Sequence, residues 1–186
     1  MVAKLFNIVT PDFAVFGRKD AQQAIKWTRI EDYGRTLSGM RAAGPADPIP
    51  ATPGKASASL EYRIYLFSTG AVDVIAITSP TLNFTPGRGL RYATSFDDES
   101  PKVVTLVPEN FSAQNGNREW EESVKDNARQ GRSSHTISQP GFHTLKIWMV
   151  DPGVVLQKLI VNPGGLKPSY LGPPESFHIS FNSESR

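Results

Sequence analysis

The feature that most constrains this chain is a set of runs in which apolar and polar residues alternate. Residues 59–67 place Leu60, Tyr62, Ile64 and Leu66 on one side of an extended backbone and the intervening residues on the other. A period of two predicts a strand with one buried face. Five further strands are predicted by similar runs at residues 71–78, 90–96, 102–107, 142–150 and 155–161. Shorter runs predict strands at 134–138, 5–9 and 25–30.

Turn sequences follow two of these strands. Ser68-Thr69-Gly70 comes after the strand at 59–67, and Asp151-Pro152-Gly153 comes after the strand at 142–150. Gly, Pro, Asp and Ser favour tight turns, so each is predicted to form a hairpin with the strand that comes next. About eight strands in one chain are typical of an all-β fold, a two-sheet sandwich or jelly roll.

One segment interrupts the strand pattern with helical spacing. Trp120, Val124 and Ala128 recur every four residues, and Asn117 precedes them as a candidate N-cap. Acidic residues near the positive end of the helix dipole add to this signal. We therefore predict one short helix over residues 119–129, lying across the sandwich.

Length and composition limit the organisation of the chain. With 186 residues, it has the size of one domain, so we expect a single sandwich over 1–186 with poorly ordered ends at about 1–5 and 177–186. Residues 42–59 are rich in Pro, Ala and Gly and predict a loop. The chain has no cysteine, which excludes disulfides, thiolate zinc sites and cysteine nucleophiles.

The charge and hydropathy patterns exclude further classes. A net charge of +2 with scattered Lys and Arg argues against a nucleic-acid partner. No apolar run has the length of a bilayer span, and no signal-peptide core follows the first residues, so we expect no membrane partner. The compartment stays open at this point.

The groups needed for catalysis do not form a recognisable pattern. Opposed carboxylates hydrolyse glycosidic bonds, and the candidates are Glu61, Asp97, Asp98, Glu119 and Glu121. No spacing of His135, His143 and His178 suggests a metal pair, and no Gly-x-Ser-x-Gly motif is present. Residues 97–99 are either a solvated turn or a calcium site, but the Asp-x-Asp-x-Asp-Gly loop of a convincing calcium site is missing.

Aromatic and polar residues offer a different chemistry. Sugars stack their apolar ring faces on Trp or Tyr, while polar side chains hold the hydroxyls. The chain has three Trp and five Tyr, of which Tyr33 and Tyr170 fall in predicted loops and are expected to be exposed. Arg88 and Arg91, beside Asn83, could bind the carboxylate of a uronic acid through paired hydrogen bonds. A loop salt bridge is the alternative role of these arginines.

Several longer motifs resemble the C-terminal domain of glycoside hydrolase family 115. They are PTLNF at 80–84, GRGLRYA at 87–93, SFDDE at 95–99, GFHTLKIWMVDPGVVL at 141–156 and GLKPSYLGPPES at 165–176. Trp120 followed by VKDN at 124–127 also matches the place of a Trp and a helix in that domain. The resemblance extends from about residue 27 to residue 176.

The resemblance implies a β-sandwich similar to carbohydrate-binding modules, attached to an α-glucuronidase that removes (4-O-methyl)glucuronic acid from xylan. The catalytic residues of that family lie in other domains, which implies that this chain is not itself an enzyme. Related modules often carry an acidic residue in the first strand that helps to hold calcium. Here residues 7–10 read Asn-Ile-Val-Thr, so no cofactor is expected, and a structural calcium ion stays an open alternative that the sequence does not support.

The functional hypothesis is therefore a carbohydrate-binding module for glucuronoxylan or a related plant polysaccharide. Its expected sugar-binding residues are Asn83, Arg88, Arg91, Tyr92, Trp120 and Tyr170. The alternative is a structural or dimerisation domain whose partner is a catalytic domain or a second copy. An independent small hydrolase is a third possibility. An extracellular or periplasmic location follows from a polysaccharide partner.

Overall fold

A computed structural model of the chain describes residues 6–8, 13–15, 26–36, 38–44, 52–54, 57–83, 85, 87–170 and 172–176. The strands are β1 Phe6–Ile8, β2 Phe13–Val15, β3 Lys26–Glu31, β4 Ser38–Ala43, β5 Ser59–Leu66, β6 Gly70–Thr78, β7 Leu90–Phe96, β8 Lys102–Val107, β9 Arg129–Ile137, β10 Gly141–Met149 and β11 Val155–Asn162. One helix, α1 Arg118–Lys125, and a 3₁₀ turn, Gly34–Thr36, complete the described elements.

The strands form two antiparallel sheets. The first has the order β3-β4-β11-β6-β9, with β1 paired to β11 on the same side as β4. The second has the order β2-β5-β10-β7-β8. The prediction of an all-β two-sheet sandwich with one short helix is confirmed.

The alternation in the sequence sorts side chains between the core and the surface. Leu60, Tyr62, Ile64 and Leu66 of β5 are all buried, together with Leu145 and Ile147 of β10. The facing sheet contributes Val72, Val74, Leu159 and Val161 to the same hydrophobic cluster. Each large side chain buried in this way stabilises the fold by about 1.5–3 kcal/mol relative to an exposed position.

Both predicted hairpins are wrong. Strand β5 pairs with β10 and β2, whereas β6 pairs with β11 and β9, so the turn between them carries the chain from one sheet to the other. The turn at 151–153 does the same between β10 and β11. Alternation determines which face of a strand is buried, but it does not select the neighbouring strand, because both sheets bury one face against the same core.

The predicted helix is correct in place but too long. Asn117 caps α1 as expected, since its side chain accepts hydrogen bonds from the backbone N–H groups of Glu119 and Trp120. The helix ends at Lys125, and Asn127 adopts a left-handed φ of 48°. Arg129 already begins β9, which is longer than the strand predicted at 134–138.

The sequence patterns also missed two strands. Strand β4 contains Gly39, Ala42 and Ala43, small residues with low strand propensity, and its end overlaps the predicted loop at 42–59. Strand β2 is only three residues long.

The expectations for residues 1–5 and 177–186 lie outside the described residues, as does His178.

Candidate functional site

Arg88 and Arg91 converge on one buried carboxylate. Arg88 donates from Nε to Asp151 Oδ1 at 3.0 Å, and Arg91 donates from Nε to Asp151 Oδ2 at 2.9 Å. The backbone N–H of Arg91 also donates to Oδ2 at 3.0 Å. The Asp151 side chain is fully buried, so its charge needs these partners. The structure therefore favours the salt-bridge role of both arginines over contact with a uronic acid.

Asn83 and the turn around it hold the β6–β7 loop in shape. The Asn83 Nδ2 group donates to the carbonyl of Glu109 at 2.6 Å, and its Oδ1 accepts from the backbone N–H of Thr85 at 3.2 Å. Gly89 has a φ of 70°, and a side chain there would overlap the carbonyl of Val107. These contacts fix the loop to the segment after β8 and engage both ends of the Asn83 amide.

Tyr92 lies between the two sheets and is 1% exposed. Its ring packs against the backbone of Gly131 on the opposite sheet. Burial raises the pKa of the Tyr92 hydroxyl. The expectation that Tyr92 contacts sugar is wrong, because no face of its ring reaches the surface.

Trp120 belongs to a small cluster beside helix α1. Its ring meets that of Phe111 edge-on, with 6.2 Å between the centroids. The Arg129 guanidinium lies 4.5 Å from the centroid of Phe111, donates to the carbonyl of Leu106, and pairs with Glu119. Trp120 is half-buried, so part of its ring is used for packing rather than left open.

Tyr170 is the predicted residue that the structure leaves accessible. Its side chain is 63% exposed. The Arg35 guanidinium lies over the ring at 4.9 Å from the centroid and donates to the Tyr170 carbonyl at 2.6 Å. Arg35 also donates to the carbonyl of Asp126 at 2.9 Å, which ties the tyrosine to the end of helix α1. The ring is thus exposed and held in a defined position.

A groove of about 370 Å³ lies on the outer face of the first sheet, and its lining includes Arg35, which contacts the Tyr170 ring, and Ser169, which precedes Tyr170 in the chain. Its floor is apolar, formed by Ile75, Ile77 and Ile160. Polar and cationic side chains line its walls, namely Arg35, Gln130, Arg132, Lys167 and Ser169. We call this surface the Tyr170 groove.

A buried lysine lies beneath the loop that forms one wall of the groove. Lys158 is 3% exposed, and its Nζ donates to the carbonyl of Pro173 at 2.9 Å. Burial lowers the pKa of Lys158, the nearby Arg35 lowers it further, and Glu175 opposes both effects. Lys158 therefore fastens the segment that carries Tyr170 onto the sheet.

Sequence patterns missed a second exposed surface. Tyr65, Phe67 and Phe142 lie together on the outer face of the second sheet and are 39%, 59% and 55% exposed. The alternation placed Tyr65 and Phe67 on the outward side of β5, which was a usable signal. We call these three residues the sheet-face cluster.

A buried histidine has the neighbours of a hydrolase triad but not the access. His135 Nδ1 contacts Glu99, and its Nε2 lies 2.9 Å from the hydroxyl of Ser133 and 3.1 Å from that of Thr94. Ser133 and His135 are both buried between the sheets. A substrate could not reach the Ser133 hydroxyl without separating the sheets.

Three of the carboxylates considered as catalytic groups are engaged in contacts with other residues. Asp97 pairs with His143 at 2.7 Å, Glu119 pairs with Arg129, and Glu121 accepts from the backbone of Gly116 at 2.9 Å. In the part of the chain that the structure describes, no three His, Asp or Glu side chains are grouped to hold a metal ion. Nor does any described helix have the length and apolarity needed to cross a bilayer.

The family of the chain follows from a comparison with known protein families. The model of the glycosyl hydrolase family 115 C-terminal domain matches residues 7–175. The chain belongs to this family. The resemblance seen in the sequence motifs is thereby confirmed.

Solved structures agree with the fold. A family GH115 4-O-methyl-α-glucuronidase with specificity for decorated arabinogalactans is 22% identical, with a TM-score of 0.56. The similarity covers 77% of this chain but only 18% of that enzyme. A family 35 carbohydrate-binding module from Cellvibrio japonicus is 13% identical, with a TM-score of 0.51, over 88% of this chain and 95% of the module.

Curated proteins give only a short local match. A pantothenate synthetase from Thermoanaerobacter sp. is 67% identical over 33 residues, which is 17% of this chain and 12% of that enzyme. A match of this extent does not show a shared family. The chain thus matches only 12% of the length of the synthetase and 18% of the length of the glucuronidase.

Proposed function

We propose that this family 115 C-terminal domain is a non-catalytic carbohydrate-binding module that holds a glucuronic-acid-bearing plant polysaccharide in the Tyr170 groove. The observation that carries the proposal is the Tyr170 ring, which is 63% exposed and is held by Arg35, a residue of the groove lining. A fixed aromatic ring lowers the entropic cost of ordering a binding surface. Its free face offers an apolar platform for a sugar ring.

The lining of the groove suits an acidic sugar. Arg132 and Lys167 bring positive charge to the walls, and Ser169 and Gln130 provide hydrogen-bonding groups for hydroxyls. Asp73 is the partner of Arg132 at 3.8 Å, and both side chains are partly exposed, so their attraction is screened by solvent. A uronic acid carries one carboxylate, and the cationic side chains of the groove lining are the groups that would bind it.

The polysaccharide we propose is xylan bearing glucuronic acid side groups. The solved glucuronidase of this family is described as specific for decorated arabinogalactans, which makes that polymer the natural comparison. A catalytic domain on the same or another chain would cleave the glycosidic bond. Because polymeric plant polysaccharide lies outside cells, we place the protein in an extracellular or periplasmic compartment.

Calorimetry with acidic and neutral ligands tests the proposal. Glucuronoxylan oligosaccharides are expected to bind more tightly than unsubstituted xylan oligosaccharides, and Tyr170→Ala is expected to weaken binding about tenfold, which is a loss of about 1.4 kcal/mol. Tyr170→Phe keeps the ring and serves as the matched variant. It should bind within about twofold of the original chain, because the platform rather than the hydroxyl makes the contact.

Three results would contradict parts of the proposal. One is equal binding by the original chain and Tyr170→Ala, which would place any sugar elsewhere. Another is absence of binding to glucuronoxylan together with tight binding to decorated arabinogalactan, which would keep a sugar module but change its ligand. Release of glucuronic acid by this chain alone would overturn the non-catalytic assignment.

A further inference from the structure

An arginine and a carboxylate follow one another at one end of the Tyr170 groove. On the outer face of the first sheet, Arg132 of β9 is the cross-strand partner of Ile75 of β6, and both residues line the groove. Asp73 precedes Ile75 by two residues on β6, so its side chain lies on the same face, about 7 Å further along the strand. Its cross-strand partner is Ser134. A carboxylate therefore lies directly beyond the arginine at this end of the groove.

Asp73 is held in position by Ser134 rather than by Arg132. The Ser134 hydroxyl donates to Asp73 Oδ1 at 2.5 Å, whereas Arg132 Nη1 is 3.8 Å from Asp73 Oδ2. The second distance is too long for a hydrogen bond. The side chain of Arg132 is 62% exposed and that of Asp73 is 31% exposed. Arg132 can therefore turn to a ligand while the carboxylate of Asp73 stays where it is.

The charges inside the groove are of the opposite sign to Asp73. Among the described residues that line the groove, the charged ones are all cationic, namely Arg35, Arg132 and Lys167. Lys102 also approaches this end of the sheet, but it donates to the backbone carbonyl of Ser134. Asp73 is therefore a fixed negative charge at the end of a positively charged groove.

We infer that Arg132 binds the carboxylate of the acidic sugar and that Asp73 makes the groove selective for ligands whose carboxylates are far apart. A single uronic acid on a neutral backbone is attracted by Arg132. A polyuronate has a further carboxylate on each neighbouring sugar, and one of these meets Asp73 wherever the ligand continues past Arg132 along the strands. Like charges repel, and a repulsive group beside an attractive one is a common source of specificity. The inference rests on the proposed function of the chain.

Two acidic tetrasaccharides test the inference by calorimetry on the intact chain. Aldotetraouronic acid has one carboxylate on a short xylan backbone, whereas tetragalacturonic acid has a carboxylate on every sugar. The original chain should bind aldotetraouronic acid more tightly. Asp73→Asn keeps an acceptor for Ser134 and removes the charge, so it should raise the affinity for tetragalacturonic acid about fivefold, as expected for one like charge about 4 Å away in water. The affinity for aldotetraouronic acid should rise about twofold or less, because the exposed pair of Asp73 and Arg132 is weak.

Asp98→Asn is the charge-matched control, since Asp98 is an exposed carboxylate in the β7–β8 turn of the other sheet. It changes the net charge of the chain by the same amount and should leave both affinities unchanged. Arg132→Gln is a second variant, and it should weaken the binding of aldotetraouronic acid about threefold to fivefold, as for the loss of an exposed ion pair.

Equal gains from Asp73→Asn and Asp98→Asn would overturn the inference, because net charge alone would then explain them. So would unchanged binding of tetragalacturonic acid by Asp73→Asn, unchanged binding of aldotetraouronic acid by Arg132→Gln, or equal binding of both tetrasaccharides by the original chain. In each of these cases, binding of aldotetraouronic acid that Tyr170→Ala weakens would leave the proposed function standing. Failure of the original chain to bind aldotetraouronic acid would overturn the proposed function and this inference together.

Discussion

Two regions of this molecule contain arginines and tyrosines of similar chemistry, but the side chains differ in how accessible they are to a ligand. In the first region, at the start of strand β7, Arg88 and Arg91 neutralise the buried carboxylate of Asp151. At the Tyr170 groove, Arg35 contacts only backbone carbonyls and the face of a tyrosine ring among the hydrogen bonds described above. Among the described residues, no buried carboxylate pairs with the Arg35 guanidinium. The difference shows that an acidic partner distant in the sequence decides whether an arginine is used within the fold.

The largest expected effect comes from the first region. Asp151→Asn removes the charge that two guanidinium groups share, so we expect a loss of about 3 kcal/mol in the free energy of unfolding, the lower end for a broken buried pair. Both arginines keep about a quarter of their side-chain surface exposed, which limits the cost. Urea unfolding measures the effect. Asp98→Asn, at an exposed carboxylate in the β7–β8 turn, is the control and should change little.

If Asp151→Asn instead raised affinity for glucuronoxylan oligosaccharides, the released arginines would be ligands after all. We expect the folded fraction of this variant to bind sugar as the original chain does. That outcome would confirm that the region is structural.

A smaller effect on stability is expected at Tyr92, the buried tyrosine of the first region. Gly131→Ala places a methyl group against the buried Tyr92 hydroxyl, and we expect a loss of about 1–3 kcal/mol from overpacking. Combining it with Tyr92→Phe should recover part of this loss, because the overlapping oxygen is removed. Thermal or urea unfolding of the four chains gives the coupling energy. Additive effects would show that the two residues do not meet.

Within the groove, Lys167→Ala should weaken glucuronoxylan binding by about twofold to fivefold, the range of an exposed ion pair of 0.5–1 kcal/mol. Added salt should reduce the difference between the two chains, because screening weakens exposed charges. Lys26→Ala, at an exposed lysine on the distant strand β3, is the matched control. Equal losses from both variants would indicate general attraction to a polyanion rather than a site.

The smallest effects concern two histidines with opposite pH dependence. Burial lowers the pKa of His135, although Glu99 opposes the change. The folded state therefore takes up a proton less readily than the unfolded state, and stability should fall as pH drops below about 6.5. His135→Gln should reduce this dependence in unfolding measurements between about pH 7.5 and 5.5.

His143 should behave in the reverse sense. Burial would lower its pKa, but hydrogen bonds to Asp97 and to the Gln139 carbonyl, with the charge of Asp97, raise it above the ordinary value. Its contribution to stability is present below about pH 6.5 and is lost as pH rises through the raised pKa. His143→Gln should remove this contribution. The same pH slope in both variants would contradict the assignment.

The strands were predictable because alternation reflects a local property, namely which side of each strand faces the core. Strand partners were not, because β5 and β6 follow each other in the chain yet belong to different sheets. Strand β4 was missed because its Gly and Ala residues carry no pattern. The buried face of each strand could therefore be predicted from the sequence, whereas the pairing of strands could not.

The candidate site shows the same division. A loop rich in Pro and Gly correctly suggested that Tyr170 is exposed. For Arg88 and Arg91 the sequence left contact with a uronic acid and a salt bridge both open, because their partner Asp151 lies about sixty residues away and no local spacing reveals it. Arg35 was missed for a similar reason, since only the folded chain brings it over Tyr170.

The passage of the chain from sheet to sheet has a consequence for how this domain is made. Strand β11 lies at the centre of the first sheet and pairs with β1, β4 and β6, yet it comes last among the strands that the structure describes. Contacts between distant segments slow folding, since the chain must close long loops before it gains stabilising pairs. During synthesis, the first sheet must wait until β11 has been made. We expect a domain that folds late, slowly and as one cooperative unit.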